Sequence, residues 1–357
     1  MKKFFKVIAS IISIIVIAAI VYIAYVFIAY DRIEDNLAIE VDNVSSEIIQ
    51  TDTEYTLTTF NIGYGAYSPD YSFFMDGGEH SRALSEDNVI KNVAGAIGII
   101  SQIDPDFALF QEVDTDSTRS YHIDEYMMLE DAFPAFSSVF VMNYNSPYLF
   151  YPILEPIGKS VSGIVTLSKY NIGSSLRRSL PLESGFRKLL DLDRCYSVTR
   201  FPVSNDKELV LINVHLSAFT ADITIGEAQL KMLIENAQQE YDAGNYVIIG
   251  GDFNKDLFGN SPEVFGTTRE LPNWAKPLNE ELIPDSFVIV HPENDENPVP
   301  TLRSTETAYV PGESFVTVLD GFIVSTNIEV IYEEHIDASF TYSDHNPVLQ
   351  RFKLNSD

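Results

Sequence analysis

Side chains able to bind a metal, hold a phosphate or move a proton recur at the ends of apolar runs in this 357-residue chain. The segments are TFNIG at 59–63, LFQEVD at 109–114, INVHLS at 212–217, IIGGDFN at 248–254 and YSDHNPV at 342–348. A sixth, VLDGFIVS at 318–325, carries an aspartate inside an apolar strand. Asn61 and Glu112 offer an amide and a carboxylate oxygen, the hard donors magnesium takes when water and substrate phosphate complete its shell. Asp252 and Asn254 follow Gly250-Gly251, a pair that lets the backbone turn closely, and strand alternation puts both on one side. Asp320 within its strand needs a partner, because an unpaired buried charge is costly. The imidazole of His345, beside Asp344, is the natural one. His215 closes the apolar run 209–214, where an imidazole has little packing purpose. Each residue alone has a plainer reading as a solvated strand end, a turn former or a structural histidine. In this order, as a set, they describe a hydrolase of phosphate esters that works with a divalent metal.

Such residues meet only if strands and helices bring them together. The runs 57–62, 107–110, 164–168, 209–214, 246–249 and 316–325 read as strands. A helix follows Ser85, with Val89, Val93, Ile97 and Ile100 on one stripe and Glu86 and Asp87 favouring its N-terminus. A second helix carries Leu230, Leu233, Ile234 and Ala237 and stops near Gly244. No composition break divides 55–357, so one α/β domain with packed sheets is expected there.

The N-terminus differs in kind. After Lys2, Lys3 and Lys6 no charged residue occurs from Val7 to Tyr30, a stretch long enough for a hydrocarbon core of about 30 Å. Cleaved leaders have apolar cores of roughly 7–15 residues; this one is longer and ends in bulky side chains. Residues 1–30 therefore read as a cytoplasmic N-terminus and uncleaved membrane anchor. Lysines before it and Asp31, Glu34 and Asp35 after it place the rest outside the cell membrane. Residues 31–54 read as an acidic stalk. The formal charge of −29 repels polyanions, which disfavours a broad nucleic-acid footprint. The single Cys195 excludes an intramolecular disulfide and reads as a small buried hydrophobe. The segment 63–80, with five aromatic residues, reads as a recognition loop bordering the site or as a packed surface loop.

The ordered blocks (the early asparagine, QE, NVHL, GDFN, LD and SDHNPV) make residues 55–355 resemble the endonuclease/exonuclease/phosphatase superfamily, which has the DNase I fold. The resemblance implies a four-layer α/β/β/α sandwich with the site where strand ends converge. It implies Mg²⁺, with Mn²⁺ as the alternative, bound by Glu112 with Asn61 and Asp344 close by. Asp252 and Asn254 would hold the phosphate and orient the attacking water. His345 would act as general base or position the water, oriented by Asp320. His215 would donate toward the phosphate and leaving oxygen, and a histidine in that block leans away from abasic-site repair. Glu155, Arg194 and Arg200 match no motif and stay unassigned. The expected substrate is a lipid headgroup or small phosphate ester. The alternatives are an extracytoplasmic nuclease and a non-catalytic binding protein on the same fold.

Overall fold

The computed structural model describes residues 2–29, 32–182, 192–218, 223–266, 275–292 and 298–356; Tyr30 and Asp31, at the end of the apolar run, lie outside them. In chain order the helices are α1 (Lys2–Ala29), α2 (Glu86–Ile103), α3 (Glu125–Ala132), α4 (Ile223–Asp242) and α5 (Ser261–Val264). The strands are β1 (Leu37–Ile39), β2 (Glu54–Asn61), β3 (Phe107–Asp114), β4 (Ser137–Asn145), β5 (Val161–Ser168), β6 (Ser174–Ser179), β7 (Cys195–Pro202) and β8 (Glu208–His215). They continue as β9 (Tyr246–Asp252), β10 (Phe287–Ile289), β11 (Leu302–Arg303), β12 (Val316–Thr317), β13 (Asp320–Ser325), β14 (Ile328–His335) and β15 (Val348–Leu354).

Two sheets form, ordered β1-β6-β7-β8-β9-β13-β10 and β14-β15-β2-β3-β5-β4, with β11 and β12 as a separate ribbon. Period-two alternation sorts their side chains into layers. Tyr55 and Leu57 of β2 and Phe107 and Leu109 of β3 meet Leu209, Leu211, Tyr246 and Ile248 of β8 and β9 between the sheets. The intervening residues face outward. Phe60, Ala108 and Phe110 pack on Ala96 and Ile100 of α2, and Val210, Ile212, Val247 and Ile249 on Leu230, Leu233 and Ala237 of α4. The result is the expected four-layer α/β/β/α sandwich.

Each sheet carries a parallel pair at its centre, β2 with β3 and β8 with β9. A parallel connection needs a crossover, here α2 and α4. These two units deliver the C-terminal ends of four strands to one edge. The antiparallel neighbours β13 and β15 deliver their N-terminal ends to that same edge.

Three elements differ from the sequence reading. The segment read as a stalk is laid along the sheets: β1 pairs with β6, Asp42 bridges to Ser138 and Ile49 to Val203. The run 316–325 is two strands, because Val318 and Leu319 turn their carbonyls to Leu257 N and Phe253 N instead of a ladder. Finally, β9 ends at Asp252, so Asn254 reaches the site through a left-handed residue (φ 48°) and not through strand alternation. Helix α1 is 28 residues, long and apolar enough to cross a membrane by length and composition, and Val26 is its buried residue.

Candidate active site

Backbone pairing places the first contacts. Asp252 lies opposite Asp320 in the β9–β13 ladder and opposite His215 in the β8–β9 ladder. Gly251 makes the approach close: its φ is 142°, and a Cβ there would lie 2.1 Å from Val214 O. Across the gap between sheets, Asn61 Nδ2 donates to Asp252 Oδ2 at 3.0 Å and reaches Glu112 Oε1 at 3.5 Å, while Asn61 Oδ1 accepts from Gly63 N. Deeper in, Gln111 Nε2 donates to Asn213 Oδ1 at 2.7 Å, and Asn213 Nδ2 to the carbonyls of Phe110 and Val165. This buried amide pair ties the sheets directly beneath the site.

Glu112 sits where the β3–β5 register shifts, between Phe110 and Val113, with φ 55°. A bulge re-aims a side chain at the cost of an uncommon backbone conformation. Here it turns Glu112 out of the alternation and toward His215, whose Nε2 lies 3.8 Å from Glu112 Oε1 and 3.5 Å from Asp252 Oδ2.

His345 Nδ1 and Asp320 Oδ2 are 2.7 Å apart, and His345 Nε2 lies 3.8 Å from Asp252 Oδ2. Ser343 fixes this loop, its Oγ donating to Asn61 O at 2.8 Å and accepting from His345 N. Asn254 N donates to Asp252 Oδ1, and Asn254 Nδ2 to Leu216 O.

Burial and charge set the protonation states. Burial disfavours a charged His345, but Asp320, Asp344 and Asp252 outweigh it and hold the imidazole up at about 10. His215 is pushed well down by burial, then by Arg194 and His345, and is neutral. Burial and the neighbouring Asp320 raise Asp252 to about 7. Burial, opposed by His345 and Arg303, brings Asp344 to about 6.

All eight sequence-derived residues therefore gather at one edge. Glu112, His215, Asp252, Asn254, Asp344 and His345 line one cavity of about 390 Å³, while Asn61 and Asp320 stand behind it. Of the unassigned residues, Glu155 accepts from Ser81 and is no partner of His215. Among the described residues His215 Nδ1 has no hydrogen-bond partner. Arg200 pairs with Glu208 and Glu240, away from the site. Arg194 does line the cavity, as do Arg119 and Arg303, which no motif marks. Arg119 is held by Asp114 in a two-pronged pair (2.9 and 3.0 Å) and lies 3.7 Å over the Tyr64 ring. Fully buried Arg303 donates to the carbonyls of Tyr67, Ser68 and Ser304. Tyr64, Tyr67 and Phe73 of the aromatic segment also line the cavity, with Tyr144 and Ile157.

A sequence model of a family described as Endonuclease/Exonuclease/phosphatase matches residues 58–345. No curated protein matches the chain. Among solved structures, an endonuclease/exonuclease/phosphatase from Beutenbergia cavernae DSM 12333 is 17% identical with a TM-score of 0.57, over 85% of this chain and 72% of that one. ANGEL2, a 2',3'-cyclic phosphatase, in complex with adenosine-2',3'-vanadate, is 15% identical with a TM-score of 0.57, over 90% and 99%. Truncated Caenorhabditis elegans TDP2 is 13% identical with a TM-score of 0.51, over 85% and 99%. At these identities the likeness is one of fold.

Proposed function

Because the chain belongs to the endonuclease/exonuclease/phosphatase family and is a phosphoric ester hydrolase by that membership, we propose that it hydrolyses small or lipid-headgroup phosphate esters, with a divalent ion, at the outer face of a membrane. The observation that carries this reading is the gathering of Glu112, His215, Asp252, Asp344 and His345 at one cavity. The domain division follows: residues 1–30 anchor the chain, 31–54 lead from the anchor along the sheets, and 55–357 do the chemistry.

The residues present suit a hard dication. Glu112 and Asp344 offer the carboxylate oxygens Mg²⁺ or Mn²⁺ prefers. Asn61 turns its amide nitrogen to Glu112 and Asp252 and its oxygen to Gly63 N, so it would serve the ion by holding those carboxylates. Burial, joined at Asp252 by the neighbouring Asp320, holds the carboxyls of Asp344 and Asp252 above their ordinary range, and a bound cation would favour their ionised forms. Asp252, Asp320 and His345 also offer ligand atoms within 4.8 Å of one another. The 2.7 Å Asp320–His345 contact favours reading that trio as a proton network. When bound, the ion polarises the phosphoryl group and stabilises its developing charge.

The protein groups do the rest. Asp252, near 7, can accept the proton of a water that Asn254 helps orient for in-line attack. His345, held as the imidazolium by Asp320, directs Nε2 toward the phosphoryl oxygens. This supports the positioning role for His345 over that of general base. Neutral His215, facing Glu112 and Asp252 through Nε2, donates from that atom toward the leaving oxygen. A cavity of about 390 Å³ suits a headgroup or single nucleotide unit, and the charge of −29 opposes a long polyanion. The activity of ANGEL2, a 2',3'-cyclic phosphatase, is in keeping with a small phosphodiester.

The test is hydrolysis by the purified full chain with Mg²⁺ of bis-p-nitrophenyl phosphate, phosphatidylinositol or sphingomyelin vesicles, and plasmid DNA. Turnover of ester or vesicle with DNA intact supports the proposal. Cleavage of DNA alone overturns the substrate assignment.

A further inference from the structure

One loop beside α1 is notable for what it lacks. From Ser146 to Leu154 the chain has no charged residue, and Phe150, Tyr151, Ile153 and Leu154 are 57%, 67%, 82% and 99% exposed. Glu155, the next charge and itself exposed, has its carboxylate engaged by Ser81 N at 3.3 Å and Ser81 Oγ at 3.1 Å. Scattered exposed apolar residues are ordinary, but a contiguous group on one loop marks a contact surface.

Helix α1 indicates what covers it. Phe150 N donates to Tyr22 Oη at 3.1 Å, Tyr148 N to Tyr25 Oη at 3.0 Å, and Tyr22 Oη to Tyr148 O at 3.3 Å. The Tyr22 and Phe150 rings meet edge to face at 5.5 Å. Both tyrosines lie within two turns of the Ala29 end of α1. A 28-residue helix is roughly 42 Å long, more than a hydrocarbon core of about 30 Å, so its last turns reach the headgroup zone where tyrosines concentrate. The loop is hydrogen-bonded at that level. The phenols also occupy three of its backbone polar groups, as burial at membrane depth demands.

The surface is continuous with the cavity. The Tyr151 ring meets Phe74 at 5.7 Å, between Phe73 and Met75, which both line the cavity. Met75 is itself exposed.

We propose that loop 148–154, with Met75, is a second membrane contact, seated at the headgroup–acyl boundary of the bilayer that α1 crosses. It holds the mouth of the cavity at the lipid surface. The proposal rests on reading α1 as the anchor. With a protein charge of −29 and no basic residue in the loop, the contact is apolar partition and resists salt.

The sole cysteine, Cys195, is buried, so a thiol-reactive environment-sensitive fluorophore can be placed at Leu154→Cys, at Ile15→Cys within α1, and at Met127→Cys on α3. Each labelled full chain is reconstituted in phosphatidylcholine vesicles and challenged with nitroxide-bearing lipid or aqueous iodide, with unaltered protein as labelling control. The proposal predicts that the Leu154 and Ile15 probes lose most of their emission to nitroxide lipid and little to iodide, with no change in high salt. The Met127 probe should do the reverse. Iodide quenching at Leu154, with lipid quenching kept at Ile15, overturns the loop contact and leaves the anchor standing. Shielding of Leu154 from both quenchers means that protein covers the loop, which also overturns it. Iodide quenching at both positions overturns the anchor reading and the proposal together.

Discussion

His345 is held far above an ordinary surface imidazole, at about 10, by the carboxylates around it. The Asp320 carboxylate at 2.7 Å supplies much of that difference. His345→Ala should therefore lower turnover by about two to three orders of magnitude, the usual loss of one charged donor aimed at developing charge, while the chain stays folded. Asp320→Asn should keep more activity and move the ionisation governed by His345 to lower pH, seen as a displaced limb of the pH–rate profile. An unmoved profile in Asp320→Asn would contradict the pairing. A second buried titratable pair lies outside the cavity. Glu333 is pushed up to about 7 by burial, with His335 opposing, whose Nε2 lies 3.6 Å from Glu333 Oε1. The folded chain thus keeps a proton that the unfolded chain releases near 4.5. Stability from this group is full below about 4.5 and is lost as pH rises toward 7, on the order of 3 kcal/mol in all. Glu333→Gln should flatten that slope in urea midpoints taken at pH 4.5 and 7; an unchanged slope would exclude Glu333 as its source.

At the scale of elements, the bulge in β3 holds Glu112 in the left-handed region (φ 55°), which costs a non-glycine residue roughly 1–2 kcal/mol. Glu112→Gly should raise the denaturation midpoint and abolish hydrolysis, whereas Glu112→Gln should abolish hydrolysis without the gain. Equal midpoints in the two variants would mean the backbone there is unstrained. That bulge also marks where sequence reading stops. The motif residues Asn61, His215 and Asp252 were legible because each ends an apolar run, and an apolar run that stops at a polar residue is a strand delivering it. The rise and fall of hydrophobicity likewise announced α2 and α4. The same rule makes 316–325 one strand, since nothing in its apolar pattern records that Val318 and Leu319 bond to residues 257 and 253. Strand β1, three residues in an acidic segment, is too short to show a period. Arg119 and Arg303 carry no local signal, because their burial depends on Asp114, on the Tyr64 ring and on carbonyls that only the folded chain brings near.

Taken whole, the molecule sets an acidic exterior, with a formal charge of −29, against a cavity lined by Arg119, Arg194 and Arg303 together with Glu112, Asp252 and Asp344. Long polyanions would meet repulsion over a Debye length of about 8 Å, in keeping with the small phosphate ester proposed as substrate. Binding of the ion to the folded chain alone should also raise thermal stability with rising Mg²⁺ or Mn²⁺ concentration, an effect that Glu112→Gln should weaken. The most direct test is hydrolysis of bis-p-nitrophenyl phosphate by the purified full chain, followed before EDTA, after EDTA and after Mg²⁺ is restored, in parallel with His345→Ala. The proposed chemistry predicts turnover that disappears with the metal, returns with it, and is nearly absent throughout in the variant. Hydrolysis that survives complete chelation, or that His345→Ala leaves intact, would contradict it.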